Sequence, residues 1–427
     1  MAAAPAYGAV PASGYLEVVV IGAGAAGIAA ARRLAAAGRR FALVEASARV
    51  GGRCSTDMSL FGVPFDRGAR WIRSPDANPV AKLAVQAKLE LYPAPPGQTL
   101  RIGRRNAREG EMEFFLSSLG RASRAIADAG RAKADIAAAK ALPKIFEEWN
   151  PVIDFVLGPY GCTKDLTDVS AYDFARQPER DADAFCRQGY GTLLAKLADG
   201  LPVRLSTPVT AIDWAHNAVS VETPKGTLTA RAVIMTASTN VLMGSSIRYR
   251  PGFPKRHFDA LAKLSLGSLD HIALELEGNP LGLRPDDLVF EKAAGNRTAA
   301  LLAHVGGTPL CLIDVGGRFG KSLADQGEAA MVAFATDWLA DLYGADVKKA
   351  VKRGHATRWS KEPYVLGASS VAAPGAQPGR RVLMEPLNNR IWLAGEAVHE
   401  TLWGTVNGAW ESGERAAEAV IKRLGRG

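Results

Sequence analysis

The apolar positions of the chain change period several times, and each change marks a predicted element. Residues 16–46, LEVVVIGAGAAGIAAARRLAAAGRRFALVEA, begin with a β-branched run at 18–21 that reads as a buried strand. Gly22, Gly24 and Gly27 follow at once, and an alanine-rich helix then runs to Gly38, where a helix C-cap is expected. A second strand, 41–44, ends at Glu45. Further on, residues 112–148 space their apolar side chains at helical intervals among Ala, Lys, Arg and Glu, which predicts a helical bundle capped at Pro143 and Pro151. Residues 230–238 read as another strand. Residues 391–417, IWLAGEAVHETLWGTVNGAWESGERAA, form an apolar strand that breaks at a glycine and resumes as an amphipathic helix. No internal repeat is visible.

The first of these patterns carries chemistry. Strand, glycine turn, helix, second strand and acid together make a βαβ dinucleotide fingerprint. Gly22 permits the tight turn, Gly24 lets backbone approach a pyrophosphate, Gly27 allows close packing of helix on strand, and Glu45 can accept hydrogen bonds from an adenosine ribose. The fingerprint does not choose between NAD and FAD. The next segments help: SARVGGRC at 47–54 supplies Gly52 in a flexible turn and Arg53 as a cation able to neutralise phosphate. In FGVPFDRGARWI at 61–72, the small Gly68 and Ala69 precede Trp71 and would let backbone lie against a flat ring.

Composition narrows the class. A chain of 427 residues with 48% apolar content can bury a large core, spread over two or three domains. The formal charge is +9, but no Lys/Arg block of five or six residues is present and no aromatics alternate with basic residues, so nucleic acid is not an expected partner. Charged residues interrupt every apolar run before it reaches membrane-spanning length, so no membrane span is expected. Cys54, Cys162, Cys186 and Cys311 form no CxxC or Cys/His pattern; they read as buried reduced thiols rather than metal ligands and fit a reducing compartment. The opening MAAAPAYGAVPASGY has no basic stretch and no long apolar stretch, so as written it reads as a disordered leader and not a signal peptide. A cytoplasmic location is expected, with a periplasmic one open if this leader is the remnant of an export signal.

With these residues in view, the chain resembles the flavin amine oxidase family, which includes monoamine oxidases, polyamine oxidases, flavin histone demethylases and L-amino acid oxidases. Blocks in register carry the resemblance: VIGAGAAG, VGGR, DRGARWI, GYGTLLAKLA (189–198), LSTPVTAID (205–213) and LAGEAVHETLWGTVNGAWESGERAA (393–417). The resemblance implies an α/β fold with a discontinuous, Rossmann-like FAD-binding domain (15–78, 189–245 and 376–427) and an inserted α+β substrate-binding domain (79–188 and 246–375). It also implies an amine oxidised at the carbon beside nitrogen, with O2 as acceptor and imine and H2O2 as products. The cofactor-contacting residues it implies are Gly22, Gly24, Ala26, Gly27, Glu45, Gly52, Arg53, Gly68, Ala69, Arg70, Trp71, Val209, Trp359, Gly395, Glu396, Thr405 and Val406. Val209 would offer backbone to the adenine, Glu396 would meet ribityl or ribose hydroxyls, and Thr405 and Val406 would lie at the pyrimidine edge.

The departures from the family pattern are as informative. Many members hold a water against the flavin with a lysine; here the position falls on His271, in LGSLDHIALELE (266–277), which could bind that water, take a proton from a substrate ammonium, steer oxygen, or be a satisfied strand histidine. Ala368 falls where monoamine oxidases carry the cysteine that bonds the flavin, so the FAD is expected to be non-covalent. Ser369 and Thr405 fall at the two walls of an aromatic amine cage, and Trp403 could replace one wall or be a core aromatic. The arginine that binds carboxylates in L-amino acid oxidases would align with Trp71 rather than Arg70, so a carboxylate clamp is the lesser reading of Arg70 and Arg73, and phosphate contact or a solvent salt bridge is the plain one. An NAD(P)H oxidase or a carbon-skeleton desaturase of the same superfamily, renalase-like or protoporphyrinogen oxidase-like, is the alternative activity, as is a flavin-binding protein without catalysis.

Overall fold

The computed structural model describes residues 15–178 and 182–425, so residues 1–14 of the segment read as a leader lie outside them. The expected first strand forms as Leu16–Ile21, the helix as Ala25–Ala36 and the second strand as Phe41–Val44. Leu16–Ile21 is buried almost throughout, as befits a strand in the middle of a parallel sheet covered on both faces. It pairs in parallel with Phe41–Val44 on one side and Gly226–Met235 on the other, and Val203–Arg204 and Ile391–Leu393 extend the parallel run outward. An antiparallel meander, Val219–Thr223 and Ala211–Asp213, continues the sheet to Arg248–Arg250, which pairs in parallel with Ala211–Asp213.

The register of this sheet locates the site. Ile21 stands beside Val44 and Met235, and Met235 beside Leu393. Four strands therefore finish at one edge, and their next residues are Gly22, Glu45, Thr236 and Ala394-Gly395-Glu396. Ligands of open parallel sheets sit in the crevice beyond such carboxyl ends. Two helices start there: Ala25–Ala36 from the first strand, and Val406–Leu424 a short turn after the last. They pack against each other along the sheet face.

A second, mostly antiparallel sheet has the order Val351–Ala356, Leu269–Leu276, Leu310–Gly316, Ala300–Leu302, Leu288–Glu291, Gln98–Ile102, Arg105–Asn106. One face is covered by the helices Gly317–Gln326 and Glu328–Tyr343, which bury Ile272, Leu274, Ile313 and Val315. Because side chains alternate along a strand, His271, Ala273, Leu312 and Asp314 point to the opposite face, where Ala273 and Leu312 meet Phe61, Phe65 and Phe185.

The expected helical bundle at 112–148 is mostly absent. One helix forms, Glu109–Gly130, and short turns follow it, among them Ala138–Ala141. Pro151 does not cap a helix but opens one, Asn150–Phe155, because a first-turn proline gives up an N–H that has no intrahelical partner. Far-apart segments are clamped by a fully buried ion pair: Arg380 Nε and Nη2 donate to the two oxygens of Asp173 at 2.9 and 2.8 Å, and Arg380 Nη1 donates to Ala397 O. The four cysteines are all buried, and none is in a disulfide among the described residues. No helix among the described residues is long and apolar enough to cross a membrane.

Candidate active site

At the first strand end, Gly22 N donates to Val44 O at 2.8 Å, and Thr236 Oγ1 donates to Ile21 O and Gly22 O, bracing the turn. The protein's own packing requires Gly27, since a Cβ there would lie 1.8 Å from Gly22 O. It does not require Gly24, which has φ −77° and whose added Cβ would have no neighbour nearer than 3.9 Å. The open space over Gly24 faces a helix start that has no side-chain cap, and the amides of Ala26 and Gly27 find no acceptor among the described residues. Unpaired amides at a helix N-terminus, with room in front of them, suit a phosphate. Beside them Glu45 is buried and accepts from Ala23 N at 2.7 Å and from Ser47 N and Oγ at 2.8 Å, which leaves capacity for a further donor on its carboxylate. Val209 is buried close by, and among the described residues its backbone N–H and C=O have no hydrogen-bond partner. These groups fit the pyrophosphate, ribose and adenine of a dinucleotide.

The second strand end is more self-contained than the sequence suggests. Glu396, expected to meet cofactor hydroxyls, uses its carboxylate inside the protein. It takes donors from Arg53 Nη1 (2.9 Å), Ser370 N (3.0 Å), Ser370 Oγ (2.6 Å) and Gly404 N (2.9 Å). Burial opposes its charge, but Arg53, Ser370 and Arg380 outweigh that and hold the carboxyl below its ordinary pKa. Arg53 Nη1 also donates to Ala368 O at 2.5 Å, so that nitrogen is not free for phosphate. Thr405 Oγ1 donates to Leu402 O at 2.6 Å and accepts from Gly408 N at 3.0 Å; it is the N-cap of the last helix, and Val406 is that helix's first residue. Thr405 therefore does not offer its hydroxyl as a cage wall. Trp403 also departs from the wall reading. It is 2% exposed, donates from Nε1 to Asp173 O at 3.3 Å, and packs with Ile126, Leu166 and Val371 under Arg380. Its aromatic area is spent in the core.

The strip Gly68–Trp71 is where the two sheets meet. A Cβ on Gly68 would lie 2.0 Å from Arg53 O and 2.9 Å from the Trp359 ring. Ala69 N donates to Arg53 O at 3.0 Å. Trp359 is fixed from two directions: its Nε1 donates to Arg67 O at 2.8 Å, and its backbone N to Asp270 Oδ1 at 2.7 Å. Burial pushes the Asp270 carboxyl up to about 6, against those hydrogen bonds. His271, next in sequence, reaches back to the strip, with Nε2 2.9 Å from Gly68 O and Nδ1 2.5 Å from Asp314 Oδ1. A carbonyl only accepts, so Nε2 carries a hydrogen, and a single proton lies between Nδ1 and Asp314. Burial disfavours the charged ring, but Asp314 outweighs it and the imidazole pKa stands above the ordinary histidine value. With both ring nitrogens engaged by protein groups, the geometry favours a positioning role for His271 over the acid–base one.

Asp314 was missed from the sequence, although its signal was there. A carboxylate in LCLIDVG, a run whose seven residues are all buried, demands a partner. Arg73 is a salt bridge as anticipated, 2.5 Å from Asp183, with its guanidinium over the Trp71 ring. Arg70 is not: it is 6% exposed and hydrogen-bonds to nothing among the described residues. Trp71 and Phe185 stack edge to face beside it at 4.8 Å. Ser369 contacts Thr163 Oγ1 at 3.1 Å and lies against Gly404.

Comparison with known proteins identifies the family. Residues 25–421 match the family model for flavin containing amine oxidoreductases, and the chain belongs to that family. Human lysine-specific histone demethylase 2 is 25% identical over 95% of the chain, and polyamine oxidase 4 of Oryza sativa subsp. japonica is 26% identical over 96%. The chain spans about half (53%) of the demethylase but 89% of the polyamine oxidase. Among solved structures, cyclohexylamine oxidase from Brevibacterium oxydans IH-35A superposes with a TM-score of 0.80 at 21% identity, covering 96% of this chain and all of that one. Wild-type putrescine oxidase bound to putrescine gives 0.79 at 19%, covering 96% and 99%. At such identities these two establish the fold alone: a Rossmann-like FAD domain with a substrate-binding domain. Membership of this family makes the chain a flavoprotein with FAD as its cofactor.

Proposed function

We propose that the protein oxidises a small amine at the carbon beside nitrogen and passes the electrons to dioxygen. When bound, FAD supplies the two-electron acceptor for the amine's C–H hydride and delivers the pair to O2, so that amine and O2 become imine and H2O2. The first-turn amides of Ala26 and Gly27, Glu45 and the free backbone of Val209 would hold its pyrophosphate, ribose and adenine. Gly52, Gly68, Ala69, Trp71, Trp359 and the turn Gly395-Glu396 with Thr405-Val406 would surround the rest, largely through backbone and packing. Glu396 contributes indirectly, by fixing the Gly404 turn and Arg53.

The observation that carries the reading is the engagement of both His271 nitrogens. Desaturating a carbon skeleton needs a base to remove a second hydrogen as a proton. In an amine the nitrogen lone pair supplies the electrons that form the new double bond, and no such base is needed. His271 and Asp314 then act by position, holding the Gly68 carbonyl and with it the strip.

We infer the domain division from the two sheets: 15–78, 189–245 and 376–427 around the cofactor, 79–188 and 246–375 around the substrate. The strand Arg248–Arg250 moves the second boundary a few residues later, since it pairs within the first sheet. Four buried cysteines, none in a disulfide among the described residues, support a reducing compartment such as the cytoplasm.

The test is anaerobic bleaching of the purified flavoprotein by a panel of amines and amino acids, in parallel with NADH and NADPH. Bleaching by an amine, reversed by air with release of peroxide, is expected. Bleaching by a nicotinamide alone would replace this reading with a nicotinamide oxidase.

A further inference from the structure

Residues 400–404 lead into the helix Val406–Leu424, and among the described residues none of their amides donates to a backbone carbonyl. Side chains hold this link instead. Glu396 takes Gly404 N at 2.9 Å, and the imidazole of His399 takes two more amides: Nδ1 accepts from Leu402 N at 3.0 Å and from Thr401 N at 3.3 Å. An amide only donates, so Nδ1 presents its lone pair and the ring hydrogen sits on Nε2, which faces Glu411 of the helix at 3.1 Å. That carboxylate fixes the tautomer. Just before the ring, Arg415 Nη2 donates to Val398 O at 2.6 Å. The arrangement is that of an Asx turn or helix cap, in which one side-chain acceptor captures the amides two and three residues on, built here with an imidazole in place of a carboxamide.

What the link positions is the start of the helix. Leu402 O accepts from Thr405 Oγ1 at 2.6 Å, and a Cβ on Gly408 would lie 2.1 Å from that oxygen, so a shift of Leu402 carries the first turn with it. In that turn the amides of Val406 and Asn407 have no acceptor among the described residues. Amides at a helix N-terminus favour negative charge, and a reduced flavin carries more of it than an oxidised one. Their placement therefore bears on the potential of the cofactor.

We propose that His399 is a positioning residue for the flavin: through the Nδ1 lone pair it holds residues 401–402, and so sets the Val406 and Asn407 amides where they stabilise the reduced cofactor. The inference rests on the reading that places Thr405 and Val406 beside the flavin, but it needs no amine and no turnover.

The experiment measures the midpoint potential of the flavin-loaded protein by anaerobic reduction against a reference dye. His399→Phe and His399→Ala remove the acceptor, and His399→Asn supplies one suited to the same two amides. Val406→Pro deletes a single amide at a helix position that tolerates proline, after a Thr405 that is already extended at φ −119° and ψ 154°. The two acceptor-free variants should lose at least tenfold of the preference for reduced over oxidised flavin, about 30 mV for a two-electron couple, and His399→Asn should recover most of it. A wild-type potential in flavin-loaded His399→Phe and His399→Ala, or an asparagine variant as low as they are, would overturn the proposal. If neither acceptor-free variant holds flavin, recovery of flavin loading in His399→Asn supports it and failure to recover overturns it. Val406→Pro should lower the potential as well. A wild-type value there removes the turn from the flavin and the proposal with it, whereas a lowered value beside unchanged His399 variants leaves the turn in place and rejects His399 alone. If the potentials move as expected and no amine bleaches the flavin, the amine reading fails and the role of His399 stands.

Discussion

His271 Nδ1 stands 2.5 Å from Asp314 Oδ1 across the antiparallel pair that sets the two residues opposite one another. The other ring nitrogen holds a backbone carbonyl. A histidine tied at both ends is a strut, and its titration belongs to the stability of the site more than to proton transfer.

The pH dependence of stability follows from the sign of that shift. The folded pKa of His271 is raised above 6.5, so the pair's contribution is fully present below pH 6.5 and is lost as pH rises through the folded value. Asp314→Asn should therefore lose most stability in mild acid, about 3 kcal/mol for a broken buried pair. The deficit should shrink in alkaline solution. Urea unfolding of both proteins across pH measures it, and a deficit that grows with pH would contradict the assignment.

Catalysis should show the complementary behaviour. With no free base beside the strip, an alkylamine must arrive neutral, and kcat/KM should climb roughly tenfold per pH unit below the amine's own pKa of about 10. A plateau beginning near neutrality would reveal an enzyme group that takes the substrate's proton.

Gly24 and Gly27 should separate cofactor binding from folding. Gly24→Ala adds a methyl that meets nothing in the protein nearer than 3.9 Å, so the apoprotein should keep its Tm while FAD affinity drops. Gly27→Ala drives a Cβ to 1.8 Å from Gly22 O and should lower the apoprotein's Tm by several degrees. Thermal melts with and without FAD distinguish the two.

Thr405 and Trp403 should behave as structural residues. Thr405→Ala removes a helix cap worth about 1 kcal/mol and should leave the ranking of amine substrates unchanged. Trp403→Ala should cost about 3–5 kcal/mol through the cavity it leaves. A change in amine ranking at near-normal stability would return either residue to the substrate wall.

Glu396 sets an acid limit. Its folded pKa lies below 4.5, so it stabilises above pH 4.5 and that contribution disappears as pH falls through the folded value. Glu396→Gln should be less stable than wild type at neutral pH and converge with it in acid. Chemical unfolding at the two ends of that range would show whether the gap closes.

What the sequence made legible was local. The run 18–45 announced itself because a buried strand, a glycine turn and a helix each have a short-range pattern, and the strands and helix form where that pattern puts them. Side-chain direction was not legible. The family resemblance put Thr405 and Trp403 near the cofactor, but only the folded chain shows the hydroxyl turned into the helix cap and the indole turned into the core. Asp314 and His271 are 43 residues apart, and no local pattern pairs them. The helical spacing at 112–148 over-predicted for a related reason: apolar residues spaced for a helix also suit short turns that pack into a core.

The parallel sheet that carries the cofactor crevice is finished by Ile391–Leu393, and its first helix is covered by Val406–Leu424. The buried Asp173–Arg380 clamp likewise waits for a partner 207 residues downstream. During synthesis, then, the glycine turn is made first and completed last. Until residues 391–424 have emerged from the ribosome, the Val233–Met235 end of the Gly226–Met235 strand has an open edge, a state that invites wrong pairing. Flavin capture by a nascent chain would therefore mark the arrival of its last strand and helix, and a chain stalled short of them would remain colourless.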